Sequence, residues 1–214
     1  VLEPGSRVII EPGVTLNFTN GGLDPDGKRN IGEIVANGGR LTAIGTAKSP
    51  IVLQALSAWT GETVVTFLGT QPDPIRSRLS FAAIRPAGSE AALKRGIAAS
   101  GSDVSITNNT LQSVETGILT TAASTGKITG NTIVLDSTDS EATGFGIRAI
   151  DSRTEISGNR IFGEAIAGYG IRLTRSSCLV DSNQITDTFN SGIRMEFSTG
   201  TQLNNNTIVQ SRIQ

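Results

Sequence analysis

Short runs in which aliphatic and polar residues alternate fill most of the chain, and one run recurs five times in the second half. Its forms are SITNNTL, KITGNTI, EISGNRI, LVDSNQI and QLNNNTI. Its asparagines are Asn109, Asn131, Asn159, Asn183 and Asn206, with steps of 131−109=22, 159−131=28, 183−159=24 and 206−183=23 residues. Periods of this length indicate a repeat protein.

A second phrase, a Gly-Ile pair, keeps step with the first. It occurs at Gly96-Ile97, Gly117-Ile118, Gly146-Ile147, Gly170-Ile171 and Gly192-Ile193. Neither phrase has a sustained 3.6-residue spacing, and the alternation is typical of short strands. A unit of this length holds about three strands of roughly five residues. The pattern therefore predicts an all-β, single-stranded parallel β-helix, a solenoid of about nine rungs.

Three columns of aliphatic residues follow from this repeat. We expect them to stack inside the coil at the parallel-strand spacing of about 4.8 Å. Each fully buried aliphatic side chain contributes roughly 1.5–3 kcal/mol, so the columns form a core that needs no cofactor. The columns are Ile106, Ile128, Ile156, Val180 and Leu203; Leu111, Ile133, Ile161, Ile185 and Ile208; and Ile97, Ile118, Ile147, Ile171 and Ile193.

The recurring asparagine falls at a sharp bend between two strands. Asparagine tolerates the left-handed conformation, and its amide can bond to the amide one rung away. A ligand or metal row is the other interpretation, and a structural turn ladder is favoured over it because the repeated position has a geometric reason.

The first 100 residues continue the coil with different turns. Leu41, Ala43, Ile51 and Leu53 alternate around Gly45-Thr46, and Ala82 takes the place of the asparagine in LSFAAI. We therefore expect one domain over residues 1–214, in which residues 1–100 form rungs without the asparagine ladder and residues 101–214 carry it. The partial calcium-loop pattern Asp24-x-Asp26-Gly27 lacks its remaining ligands and favours a solvated turn.

The asparagine phrases and Gly-Ile pairs resemble the right-handed parallel β-helix repeats of the pectate-lyase-like superfamily. The segments IEPGVTLNF, GGRLTAIGTAKSPIVL and LSFAAIRPAG are similar to the openings of bacterial secreted and cell-surface members of that group. The resemblance implies a fold for essentially the whole chain. It implies little about function, since this architecture carries lyases, hydrolases, epimerases, tailspikes and adhesins.

The resemblance also implies where a ligand would bind, on the outer face of the strand that begins at Gly-Ile. The residue after each isoleucine points outward there, which gives Ala98, Leu119, Arg148, Arg172 and Arg194. Two unit charges about 4.8 Å apart repel by only roughly 0.9 kcal/mol in water, so a solvated basic stripe is one interpretation. The other is a site for a carboxylate- or sulfate-bearing glycan held by arginine forks.

Further side chains surround this arginine column. Glu196 and Asp151 are candidates to neutralise part of the column's charge. Tyr169 and Phe145 directly precede a Gly-Ile pair and suit either a sugar-stacking rim or packing beneath a loop.

The residues around the arginine column can also be considered for a catalytic role. In the resembled family, lyases hold calcium with acidic residues and use an arginine as base. Here Asp136, Asp139 and Glu141 sit in one loop, and nothing in the sequence marks a residue that would lower the pKa of an arginine. Glycoside hydrolysis needs two facing carboxylates, and no two acids share an outward column on neighbouring rungs. We assign no catalytic residue.

The amino-acid composition excludes several classes of function. A net charge of −1 leaves no electrostatic footprint for nucleic acid. The chain has no histidine and one cysteine, Cys178, which excludes disulfide frameworks and zinc sites and predicts a small buried residue. We expect no metal, no cofactor, no nucleic acid and no membrane insertion.

Both ends enter strand-like sequence at once, and bare terminal rungs expose strand edges. We therefore expect a segment of a longer protein, or ends covered by loops, further domains or other chains. The sequence predicts a secreted or cell-surface scaffold or adhesion module that binds polysaccharide at Arg148, Arg172, Arg194, Glu196 and Tyr169, with a carbohydrate-active enzyme, or part of one, as the alternative.

Overall fold

The computed structural model describes residues 1–23, 29–56, 60–69, 76–88, 92–136, 144–163, 168–188 and 190–209. Every regular element in these ranges is a strand, as the alternating pattern predicts. The first twelve are β1 (Arg7–Ile10), β2 (Thr15–Phe18), β3 (Asn20–Leu23), β4 (Arg29–Ile31), β5 (Ile34–Asn37), β6 (Arg40–Ile44), β7 (Ile51–Ala55), β8 (Thr63–Leu68), β9 (Ser77–Ser80), β10 (Ala82–Pro86), β11 (Leu93–Ser100) and β12 (Asp103–Thr107). The others are β13 (Thr110–Thr121), β14 (Thr125–Thr129), β15 (Thr132–Leu135), β16 (Gly144–Ile150), β17 (Glu155–Ser157), β18 (Arg160–Phe162), β19 (Gly168–Thr174), β20 (Leu179–Asp181), β21 (Gln184–Thr186), β22 (Ser191–Glu196), β23 (Gln202–Asn204) and β24 (Thr207–Val209).

The strands form three parallel faces around one core. Face A has the order β1-β6-β9-β12-β14-β17-β20-β23, and face B the order β2-β7-β10-β13-β15-β18-β21-β24. Face C runs β5-β8-β11-β13-β16-β19-β22, and the long strand β13 passes from face B to face C. The hairpin β3-β4 is antiparallel and stands apart. The predicted parallel β-helix is confirmed.

Eight strands stack in face A, so the described residues form eight rungs, one fewer than the approximate nine. The first two rungs use more chain than the asparagine repeats. Register partners on face A lie 40−7=33 and 78−42=36 residues apart there, and the next step, 105−78=27, already falls within the range of the repeats. A number of rungs calculated for the whole chain from the repeat length of its second half is therefore too high.

The predicted aliphatic columns fill the coil. Twelve of the fifteen side chains are buried, and Leu41, Ala43, Ile51 and Leu53 are buried with them. The other three belong to the last rung, where Leu203 and Ile208 are exposed and Ile193 is half-buried. They are exposed because no described rung packs over them.

The asparagines form a continuous hydrogen-bonded ladder, as expected. The Nδ2 group of Asn131 donates to Oδ1 of Asn159 at 2.9 Å and to the carbonyl of Ile106 at 3.0 Å. The backbone N–H of Asn131 donates to the same Oδ1 at 3.0 Å. Equivalent bonds link Asn109 to Asn131, Asn159 to Asn183, and Asn183 to Asn206. Buried polar groups are thereby satisfied inside the coil.

One reason given for the asparagine is wrong. The left-handed residue is not the ladder asparagine but the residue immediately before it: Asn108, Gly130, Gly158, Ser182 and Asn205 have φ between 51° and 67°. Phe81, which precedes Ala82 at the equivalent position, has a φ of 50°. The preceding residue turns the chain, and the asparagine amide joins the rungs.

A second ladder, of serines, lies at the bend between faces C and A, and the sequence analysis missed it. The hydroxyl of Ser176 accepts from the backbone N–H of Ser152 at 3.1 Å, and Ser198 accepts in the same way from Ser176. The hydroxyl of Ser124 accepts from the N–H of Ser102 at 3.3 Å. A serine five or six residues after each isoleucine of the Gly-Ile pairs was the available signal.

Hydrophobic side chains are exposed at both ends of the coil, among them Val8 and Ile9 on β1 and Met195 on β22. Cover by another domain or chain stays a prediction. Within the described ranges, no helix has the length and apolarity needed to cross a membrane.

Candidate functional site

On face C, both residues of each Gly-Ile pair point into the coil, and this sets which neighbouring side chains point outward. In β16, Ile147 is fully buried, and a Cβ added to Gly146 would lie 2.5 Å from Cγ2 of Ile161. Both positions therefore face the core. Phe145, which precedes them, does not belong to the core cluster and lies on the outer side with Arg148. A side chain at position 146 would clash with the core, so the Gly-Ile pair requires its glycine.

The predicted arginine column is present in register. Arg148 is the Cα partner of Arg172, and Arg172 is the partner of Arg194, on the adjacent strands β16, β19 and β22. The residues that follow Arg148 and Arg172, Ala149 and Leu173, are buried inside the coil. The three guanidinium groups consequently extend from one outer face.

The aromatic rings of Phe145 and Tyr169 stack beneath these guanidinium groups. Their centroids are 5.6 Å apart with an interplanar angle of 9°. The Arg148 guanidinium lies 4.8 Å from the Phe145 centroid, and that of Arg194 lies 5.4 Å from the Tyr169 centroid. Arg172 lies 5.7 Å from the first ring and 5.5 Å from the second. Cation–π contact attracts a positive group to each ring face and offsets part of the repulsion between neighbouring arginines.

The rings themselves offer little surface to a ligand. Phe145 is 6% exposed and Tyr169 is 8% exposed, because the arginines cover them. The Tyr169 hydroxyl accepts a hydrogen bond from Nη1 of Arg194 at 2.8 Å. The pair packs as a support for the arginines, so a role for Tyr169 in binding would act through Arg194.

Glu196 neutralises two of the three arginines. Arg172 donates from Nη2 to both carboxylate oxygens at 3.1 and 2.9 Å, and Nε of Arg194 lies 2.8 Å from Oε1. The hydrogen bond from Arg172, followed by the charges of Arg172 and Arg194, lowers the pKa of Glu196. The expected neutralising role of Glu196 is confirmed.

Asp151 does not neutralise the column. It sits in the serine-ladder turn with a φ of 50° and pairs with Arg175, whose Nε and Nη2 each lie 2.8 Å from a carboxylate oxygen. This hydrogen-bonded pair lowers the pKa of Asp151 and raises that of Arg175. Asp151 is itself the left-handed residue of this turn, which leads the chain from β16 on face C to β17 on face A. The turn therefore carries Asp151 away from the arginines of face C.

Arg148 differs from its two neighbours because no carboxylate pairs with it among the described residues, whereas Glu196 pairs with both Arg172 and Arg194. The Nε atoms of Arg148 and Arg172 are both buried without a hydrogen-bond partner there. Burial lowers the pKa of Arg148, and the nearby charges of Arg172 and Arg95 lower it further. The sequence marked no residue that would lower the pKa of an arginine, and in the structure Arg172 and Arg95 do so for Arg148. Positive charge without a bound carboxylate is concentrated at this end of the column.

Arg95 is a residue of this face that the sequence analysis did not select. It precedes Gly96 and is the register partner of Thr116, which in turn pairs with Phe145. Nη2 of Arg95 lies 3.9 Å from Oε2 of the exposed Glu62, and Nη1 donates to Oγ1 of Thr63 at 3.3 Å. Its place before a Gly-Ile pair, equivalent to Phe145 and Tyr169, was the available signal.

Other candidates contribute less to the site. Cys178 is buried, its thiol lies 3.7 Å from the Thr154 hydroxyl, and burial raises the pKa of the thiol. Within the described part of the chain, no group of three or more acidic, histidine or cysteine residues is placed to hold a metal. Asp139, Glu141 and residues 24–27 lie outside the described residues.

Comparison with protein families places the fold in a known class. Residues 91–214 match the family described as "Right handed beta helix region". The match covers more than half of the chain and all five asparagine phrases. The chain belongs to this family of right-handed β-helix proteins. Comparison with curated proteins and with solved structures finds no match.

Proposed function

We propose that this β-helix is an extracellular or cell-surface scaffold and adhesion module that binds an acidic polysaccharide along face C. One observation carries the proposal: Arg148, Arg172 and Arg194 extend in register from three adjacent rungs. Arginine forks suit carboxylate and sulfate groups, and a row of them along the coil axis suits an extended polymer.

The support beneath the arginines favours binding over an unstructured basic stripe. The stacked rings of Phe145 and Tyr169 hold three guanidinium groups in defined positions. Preorganised side chains lose less conformational entropy when a ligand binds. A solvated stripe of splayed arginines would have no such support.

A binding measurement with a charge variant tests this function. The wild-type chain is titrated with polygalacturonate, with a sulfated polysaccharide and with neutral dextran at low salt. Binding to either acidic polymer that weakens with added salt, without binding to dextran, supports the proposal, since exposed charges are screened. Absence of binding to both acidic polymers at low salt overturns it.

The variant Glu196→Gln sharpens the test. It removes the carboxylate that engages Arg172 and Arg194 and leaves a side chain of similar size. We expect tighter binding of both acidic polymers, by roughly threefold to tenfold, because two guanidinium groups become available. Unchanged or weaker binding would show that this cluster does not contact the polymer.

The alternative function is eliminative cleavage of the polymer, with Arg148 as the candidate base because it is the arginine of the column that no described carboxylate pairs with. The same incubations are analysed for shortened or unsaturated sugar products. Such products that disappear in Arg148→Lys would replace the scaffold function by a lyase function.

A further inference from the structure

Face C is uneven along the coil. Its outward positions carry arginines on β16, β19 and β22 and stacked rings on β16 and β19. The two preceding strands carry Arg95 and Ala98 on β11 and Thr116 and Leu119 on β13. On β13, Leu119 is in the arginine column and Thr116 is in the ring column. We call this stretch of shorter side chains on β13, next to the arginine–aromatic stack, the gap.

Two arginines border this gap from opposite sides. Arg148 stands on the strand after Thr116, and Arg95 stands on the strand before it. Their strands are two rungs apart, about 10 Å along the axis at the spacing of parallel strands, which two long side chains can bridge. Their charges interact, since Arg95 contributes to the lowered pKa of Arg148.

The two ends of the face also differ in how their charge is balanced. Glu196 engages Arg172 and Arg194 at 2.8–2.9 Å, whereas Arg95 has a 3.9 Å approach to the exposed Glu62 and a hydrogen bond to the uncharged Thr63. A surface pair of this kind contributes little. Arg148 has no carboxylate partner within the described ranges, and its Nε is, like that of Arg172, buried without a hydrogen bond. An incoming anion therefore meets unbalanced positive charge at the gap and balanced charge beyond it.

We propose that Arg95, Thr116 and Arg148 form a clamp for one carboxylate group of an acidic polysaccharide, seated over Leu119. The proposal rests on the function proposed above and names the anionic subsite. The two guanidinium groups donate to the carboxylate. Thr116 lies between them because it is the register partner of Arg95 on one side and, on the other, of Phe145, whose ring carries the Arg148 guanidinium. The Arg172–Glu196–Arg194 cluster then lies beside the adjoining sugar, where paired donors and acceptors suit hydroxyl groups.

Single-arginine variants test the clamp. Binding of polygalacturonate and of a sulfated polysaccharide is measured for the wild type, Arg95→Gln, Arg148→Gln and the double variant. We expect each single variant to bind polygalacturonate about tenfold more weakly, which corresponds to about 1.4 kcal/mol. The double variant is expected to lose less than the sum of the two, because both arginines hold the same group.

Arg160→Gln is the matched control. It makes the same charge change on the exposed face B and is expected to alter affinity by no more than about twofold, because its charge is distant and screened. Arg95→Lys and Arg148→Lys keep the charge and lose the fork, and a loss close to that of the glutamine variants supports directed hydrogen bonds. A folded state is verified for each variant by circular dichroism.

The outcomes separate the two proposals. Wild-type binding with Arg95→Gln no weaker than Arg160→Gln overturns the clamp and leaves the function in place. Absence of wild-type binding to both polymers overturns the function itself. A loss seen with the sulfated polymer alone overturns the assignment of a carboxylate.

Discussion

Asn131 donates both its backbone N–H and its side-chain Nδ2 to the single oxygen Oδ1 of Asn159, at 3.0 and 2.9 Å. Each rung is thus joined to the next by two hydrogen bonds at one buried corner. Replacement of one ladder asparagine would leave the donors of its neighbour unsatisfied as well as removing its own bonds.

Asn159→Ala is expected to lower the free energy of unfolding by about 3 kcal/mol or more, because buried donors lose their acceptor. Urea unfolding followed by circular dichroism measures the change. Asn206→Ala is the control: Asn206 is half-buried at the last rung, water can replace its bonds, and a smaller loss is expected. Equal losses at both positions would contradict a ladder that depends on burial.

Gly146→Ala is expected to destabilise the coil by about 1–3 kcal/mol, the usual range for overpacking. The added Cβ would lie 2.5 Å from Cγ2 of Ile161 and 2.6 Å from the carbonyl oxygen of Gly170. The same unfolding experiment applies. Gly158→Asn serves as its control, since Asn108 and Asn205 already occupy the equivalent left-handed position in other rungs. Near-wild-type stability of Gly146→Ala would show that Gly146 does not face the core.

Cys178 is expected to react with a thiol reagent only when the coil opens. The side chain is 2% exposed, and burial raises the pKa of its thiol, which lowers the fraction of reactive thiolate. The labelling rate in increasing urea should follow the unfolding transition. Rapid labelling of the folded chain in buffer would contradict this burial.

Affinity for a sulfated polysaccharide is expected to rise as the pH falls below the ordinary carboxyl range of about 4.3. The arginines lower the pKa of Glu196 in the folded state, so the stability from this cluster is present above the unfolded pKa and is lost as pH falls through the folded pKa. Protonation then frees Arg172 and Arg194, while the sulfate groups keep their charge. Glu196→Gln should show a smaller rise over the same pH range. A rise of equal size in both proteins would assign the effect to other carboxyl groups.

Some residues of the site were predicted from the sequence and others were not, and the difference has physical reasons. The repeat register placed Arg148, Arg172 and Arg194 together, because one residue follows the same isoleucine in each rung. Arg95 and Thr116 precede the glycine as Phe145 and Tyr169 do, but they lie in rungs without an arginine after the isoleucine, and their relation to Arg148 depends on contacts across rungs. Asp151 was assigned to the arginines from its proximity in sequence, but its left-handed turn takes it to Arg175.

The sequence by itself determined the coil. A buried aliphatic residue and a buried amide recur at each rung, and stacking is the arrangement that satisfies both the apolar surface and the hydrogen bonds of every repeat. Only the tertiary structure decided how the outer face is used. Whether a carboxylate such as Glu196 reaches Arg172 and Arg194 but not Arg148 depends on side-chain directions across rungs. Those directions are set by packing between residues more than 20 positions apart, which no local pattern encodes.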